Sequence, residues 1–160
     1  MGWSCDCFIF WGYSMKKICI FDYDGCLIHE YAPKGETLSA FYRRNVFWRN
    51  LFYKTTNLLL VLLAEKSKGN LIVICTAREY RWWLPFVLWF KGIPYDVLIQ
   101  RYVGDMTPTG ILKQKQIMEF IISNNDYIFA DKDFYDDNQE NLDMVGMINN
   151  VKVFNANLFI

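Results

Sequence analysis

Two short runs, "KICIFD" at residues 17–22 and "LIVICTAR" at residues 71–78, constrain the fold more than any other feature. Each is apolar at consecutive positions rather than alternate ones, the pattern of a strand buried on both faces. "YDVLIQR" at 95–101 offers a third strand, "DYIFAD" at 126–131 a fourth ending on Asp131, and "VKVFNA" at 151–156 a fifth. Longer helix-compatible stretches lie between them. Residues 37–66 close on lysines and Gly69, and residues 78–92 carry Pro85 near a first turn with Gly92 as terminator. "ILKQKQIMEFIISNN" at 111–125 places Ile111, Leu112, Ile117, Met118, Ile121 and Ile122 as an apolar set among lysines. Strands that need cover on both faces, separated by helices, predict an α/β three-layer sandwich with a central parallel sheet.

With 160 residues, 53% of them hydrophobic, the chain has the core and length of one domain. Seventeen basic and seventeen acidic residues give zero formal charge, so bulk electrostatics favours no polyanionic partner and only a local basic patch could. The five cysteines, Cys5, Cys7, Cys19, Cys26 and Cys75, are an odd set without the paired spacing of a zinc site. They read as reduced thiols, Cys19 and Cys75 as small hydrophobes inside strands. Residues 1–14 lack a basic leader, and their apolar run is far shorter than the roughly 20 residues of a spanning helix. The expected location is cytoplasmic, without a membrane. The domain is expected over residues 15–160, with 1–14 as an extension that either stands outside it or adds an edge element.

In open parallel sheets, ligands bind beyond the carboxyl ends of the strands. Three of the strands finish there in polar groups: Asp22 with Asp24, Thr76 with Arg78, and Asp131 with Asp133, Asp136 and Asp137. One acid after a strand is most often a turn former or helix cap, but three polar ends converging on one rim point to a site. Crowded carboxylates repel one another, and a cation makes the cluster tolerable. All-oxygen ligation suits Mg²⁺, which keeps several waters and takes few protein carboxylates. In such a setting Asp22 is a candidate nucleophile toward phosphorus, and Asp24 the acid and base two residues on.

These motifs resemble those of the haloacid dehalogenase-like (HAD) phosphatases. "FDYDGCL" is similar to their first motif, DxDG followed by Thr, and "LIVICTAR" to their second, a strand ending in a phosphate-binding hydroxyl. A later helical lysine and an acidic cluster complete the set, so the resemblance runs from about residue 16 to 156. It implies a Rossmann-like, HAD-like fold and a Mg²⁺-dependent phosphomonoester hydrolase working through an aspartyl-phosphate. Carried over by position, Asp22 matches the nucleophile, Asp24 the acid/base and Thr76 the phosphate-binding hydroxyl. "RYVGDMTPTGILK" at 101–113 is similar to the phosphatase domain of polynucleotide kinase/phosphatases. That points to Lys113, with Lys115 as fallback, and to Arg78, Arg101 and Asp105 as substrate-binding candidates. The implied metal set is Asp22, Asp24, Asp131 and Asp136, with Asp133 and Asp137 competing for the last place. Cys26 stands where the family has Thr.

The intervals between motifs leave no room for a full cap, so a minimal cap and a large phosphorylated substrate are expected, among which a 3′-phosphate end of single-stranded nucleic acid is the most specific. "FYRRNVFWRNLFYK" at 41–54 interleaves arginines with rings, as single-strand binding does. The blander reading of the same stretch, and the favoured one, is an amphipathic helix with Phe41, Val46, Phe47, Leu51 and Phe52 packed inward and its arginines solvated. Trp82, Trp83 and Trp89 read as core, and His29 as a partly exposed turn residue. The alternatives are a small-molecule, nucleotide or phosphoprotein phosphatase of this fold, and, from another class, a non-catalytic binding or structural module.

Overall fold

The computed structural model describes residues 16–29 and 46–159, apart from the side chains of Val46, Trp48 and Arg49. The 1–14 extension lies outside the described residues, as do the side chains of Arg43, Arg44 and Arg49 on which the basic-aromatic surface depended. The sheet is built from β1 (Ile18–Phe21), β2 (Leu71–Glu79), β3 (Val97–Arg101), β4 (Lys132–Asp136) and β5 (Val151–Asn155). All of its pairings are parallel, in the order β3-β2-β1-β4-β5. The fold class is therefore the expected α/β with a central parallel sheet. The helices are α1 (Val46–Phe52), α2 (Leu58–Ser67), α3 (Leu84–Phe90), α4 (Thr109–Ile122) and α5 (Gln139–Val145).

Alternation along the strands divides the core into two layers. Cys19, Phe21, Ile72, Ile74 and Tyr135 face Leu58 and Leu62 of α2 and Leu84, Val87 and Leu88 of α3. Ile18, Ile20, Val73, Cys75 and Phe134 face Ile117 and Ile121 of α4 and Leu142 and Val145 of α5. Each fully buried leucine or isoleucine in these layers contributes roughly 1.5–3 kcal/mol. Connections after β1 and β2 run over the first layer and those after β3 and β4 over the second, so the winding reverses between β1 and β4. A ligand crevice belongs at the carboxyl end of that switch point.

The fourth strand is Lys132–Asp136, because "DYIFAD" makes a 3-10 turn at Asn125–Tyr127 and the approach to the sheet. The helix-compatible stretch from 37 to 66 is interrupted: Thr55 pairs with Ile28 in an isolated bridge, and the backbone N–H of Thr56 donates to the Leu27 carbonyl. Of Trp82, Trp83 and Trp89, Trp83 is core, while Trp82 and Trp89 are 79% and 73% exposed; Phe52, too, faces outward. No described helix is long and apolar enough to cross a membrane.

Candidate active site

β1 ends at Phe21, and the next residue, Asp22, turns its carboxylate into the switch-point crevice while its N–H still donates to the Tyr135 carbonyl of β4. The chain then folds tightly back: the N–H groups of Leu27 and Ile28 both donate to the Tyr23 carbonyl. Gly25 makes this turn feasible. Its φ is +77°, and a β-carbon there would collide with the Asp137 carboxylate.

Lys113 reaches the same point from α4. Its buried ammonium lies 2.7 Å from Asp22 and 2.6 Å from Asp136. Asp136 is the last residue of β4 and is held from the other side by Asn141 Nδ2, at 3.0 and 3.1 Å from its two oxygens. Burial works against the Lys113 charge, but Asp22 and Asp136 outweigh it and hold the ammonium above its ordinary pKa. For Asp22, burial dominates, Lys113 opposes it, and the negative charges of Asp136 and Asp24 add to it, pushing this carboxyl up to about 8. One ammonium serves two buried carboxyl groups, so ionising both would leave the site with excess negative charge.

Asp24, two residues on, is near enough for its charge to act on Asp22. The Arg78 guanidinium pairs with both of its oxygens, and the Thr76 hydroxyl donates to it at 3.3 Å. Thr76 is fully buried and also accepts from the Arg78 N–H at 3.1 Å. Asp22, Asp24, Thr76, Arg78, Lys113 and Asp136 thus come together.

The remaining expected residues do not. Asp131 is exposed and precedes β4; its carbonyl pairs with the N–H of Ile18, at the opposite end of the sheet from Asp22. Its expected place as a metal ligand is therefore corrected: the acids beside Asp22 are Asp136 and Asp137. Asp133 is also remote, paired with Lys17 at 2.6 Å. Lys115 points to solvent near Glu119. Arg101 is committed to the loop before α4, donating to the carbonyls of Ala77, Asp105 and Thr107 and to the Thr109 hydroxyl. Asp105 caps that loop: hydrogen bonds from the Thr107 side chain and then from the Thr107 N–H hold its carboxyl below the usual range. Both support the helix that carries Lys113.

Oxygens of Asp22 and Asp137 and the sulfur of Cys26 all lie within 4.8 Å of one another. Burial and the neighbouring Asp136 push the Asp137 carboxyl up, so a cation would relieve both acids. The two carboxylates fit Mg²⁺; a thiol does not, and Cys26 instead directs its S–H toward the Tyr135 carbonyl and Asp137. Sequence reasoning left Asp137 as a competitor and missed Asn141, although an Asn one turn into a helix after an acidic strand end was the available signal.

No protein-family model matches the sequence, and no curated protein sequence matches it either. Solved structures do. A chain of the Pnkp1/Rnl/Hen1 RNA repair complex aligns with a TM-score of 0.68 at 24% identity, covering 89% of this chain and 43% of that one. The HAD domain of effector protein Lem4 from Legionella pneumophila aligns at 0.55 and 17% identity, covering 88% and 85%. The protein thus spans less than half of the repair-complex chain and has a HAD-like fold.

Proposed function

We propose that this HAD-like domain is a phosphoric monoester hydrolase that forms a phosphoaspartate on Asp22. The observation that carries this reading is the buried Lys113 ammonium 2.7 Å from Asp22 at the carboxyl end of the switch point, with the Arg78-bound Asp24 two residues on. An Asp22 oxygen attacks phosphorus as the bond to the leaving oxygen breaks, and Asp24 gives that oxygen its proton. Asp24 then takes a proton from the water that attacks the phosphoaspartate, releasing inorganic phosphate and restoring Asp22. Thr76 and Lys113 bind the phosphoryl oxygens. Asp22 and Asp137 are the residues that would hold Mg²⁺, and a bound cation supplies positive charge where phosphate brings negative charge.

The substrate we infer is a phosphorylated end of single-stranded nucleic acid. Two features support it: a structural neighbour belongs to an RNA repair complex, and between β2 and β3, one of the places where a cap could be inserted, the chain holds only α3. The buried free thiols of Cys19, Cys26 and Cys75 agree with a reducing, cytoplasmic setting.

The test is phosphate release with Mg²⁺ and with EDTA from an aryl phosphate, nucleotides, a phosphopeptide and a 3′-phosphorylated oligonucleotide, each with Asp22→Asn as control. Mg²⁺-dependent release that prefers the oligonucleotide and falls at least about a thousandfold in Asp22→Asn is expected. Turnover confined to small phosphates would discard the substrate and keep the chemistry. Absence of Asp22-dependent release on every substrate would leave a non-catalytic module.

A further inference from the structure

A groove of about 550 Å³ runs along β3, the edge strand, between α3 and α4. Its walls are mostly apolar and aromatic: Tyr80, Pro85, Leu98, Tyr102 and Phe120. One polar side chain in its lining is exceptional. Gln116 is 7% exposed, and its Nε2 donates to the Gln100 carbonyl at 2.9 Å. That bond fixes the amide orientation, so Oε1 is the acceptor, and it is buried with no partner. A buried acceptor left unpaired is costly, and an apolar ligand would leave it so.

We infer that this groove is a nucleobase subsite, in which Tyr80 and Tyr102 offer ring faces and Gln116 Oε1 accepts an exocyclic or ring N–H. The class of ligand follows from the lining. Exposed tyrosines suit stacking on a flat heterocycle, and the buried unpaired acceptor demands a donor at the ring edge. An added peptide strand fits less well, because the Gln100 carbonyl is already occupied by Gln116. Arg101 is spent on the loop before α4, so the groove itself brings no free cation for a phosphate. β3 is two strands from β1, roughly 10 Å, and the groove is therefore placed to hold a base while its phosphate lies at Asp22. The inference rests on the proposed substrate only in joining the two sites into one strand end.

The test uses nucleosides, which carry no phosphate, titrated into the full chain while the Gln116 side-chain amide is followed by NMR. Adenosine should shift that amide saturably. Purine riboside, which lacks the amino group, should bind several-fold more weakly, and Gln116→Met, followed through the backbone amides of Tyr102 and Phe120 in the groove lining, should erase the difference. Tyr102→Ala, at a position 75% exposed and therefore harmless to folding, should weaken adenosine at least about fivefold. Absence of a saturable shift, equal binding of the two purines, or a Tyr102→Ala variant with parental affinity would overturn the inference. So would a shift produced by an extended peptide and not by adenosine. If adenosine fails to bind while Asp22-dependent phosphate release persists, the subsite alone falls; the reverse pair of results keeps the subsite and removes the phosphatase reading.

Discussion

At the scale of single residues the site is a balance of buried charge. Lys113 compensates Asp22 and Asp136 together, so Lys113→Met leaves two carboxylates without their cation. The expected cost is about 3–5 kcal/mol in chemical denaturation, with part of it recovered when Asp136→Asn is added, since one of the stranded charges is then gone. No recovery in the double variant would contradict the assignment. Gly25→Ala is predicted to lose about 1–3 kcal/mol and most phosphate release, because the turn needs positive φ and the Asp137 carboxylate occupies the space of the methyl group. Thermal melts and turnover of this variant check both. Asp22, Asp24 and Thr76 were legible in the sequence because each follows an apolar strand abruptly. Asp131 was misplaced for a physical reason: the true strand, "KDFYD", buries charges that hydropathy assigns to a loop. Lys132 is satisfied by the carbonyls of Ile128 and Ala130, and Asp133 by Lys17.

At the scale of elements, β1, β4 and α2 are tied at the end of the sheet opposite the site by Lys17, Glu65 and Asp133. Burial raises the Glu65 carboxyl, but hydrogen bonds from Lys68, Lys17 and Asn70 outweigh it and hold the pKa at about 2, below its ordinary 4.5. The unfolded chain therefore binds this proton first as pH falls. The stabilisation is complete above 4.5 and is lost between about 4.5 and 2, through the lowered folded pKa. Glu65→Gln should cost about 1–3 kcal/mol at neutral pH and show a shallower loss of melting temperature across that window; parallel curves for parent and variant would refute the role. Arg101→Ala should loosen the loop before α4 and lower turnover several-fold, seen as faster amide exchange at Thr107 and Thr109. In α3 the inward row is Leu84, Val87 and Leu88, which turns Phe86, Trp89 and Phe90 to the outside. Of these rings, Trp89 read as core in the sequence. Only the helix register separates them.

At the scale of the whole molecule, parallel strands wound in two directions create one switch point, and the chain sets its acids, hydroxyl and lysine around it. The architecture was legible because strands buried on both faces cannot hide their apolar runs. The β3 groove was not, since Tyr80 and Tyr102 meet only where β2 pairs with β3, and Gln116 joins them from α4, so the three share no local pattern. The central claim is that Asp22 takes the phosphoryl group. The most direct measurement is rapid acid quench of the protein incubated with a 3′-phosphorylated oligonucleotide and Mg²⁺, borohydride reduction, and mass spectrometry of the peptide from β1. Conversion of Asp22 to homoserine, more abundant when Asp24→Asn slows hydrolysis, is the predicted result. Steady phosphate release with Asp22 unmodified at every time point would contradict it.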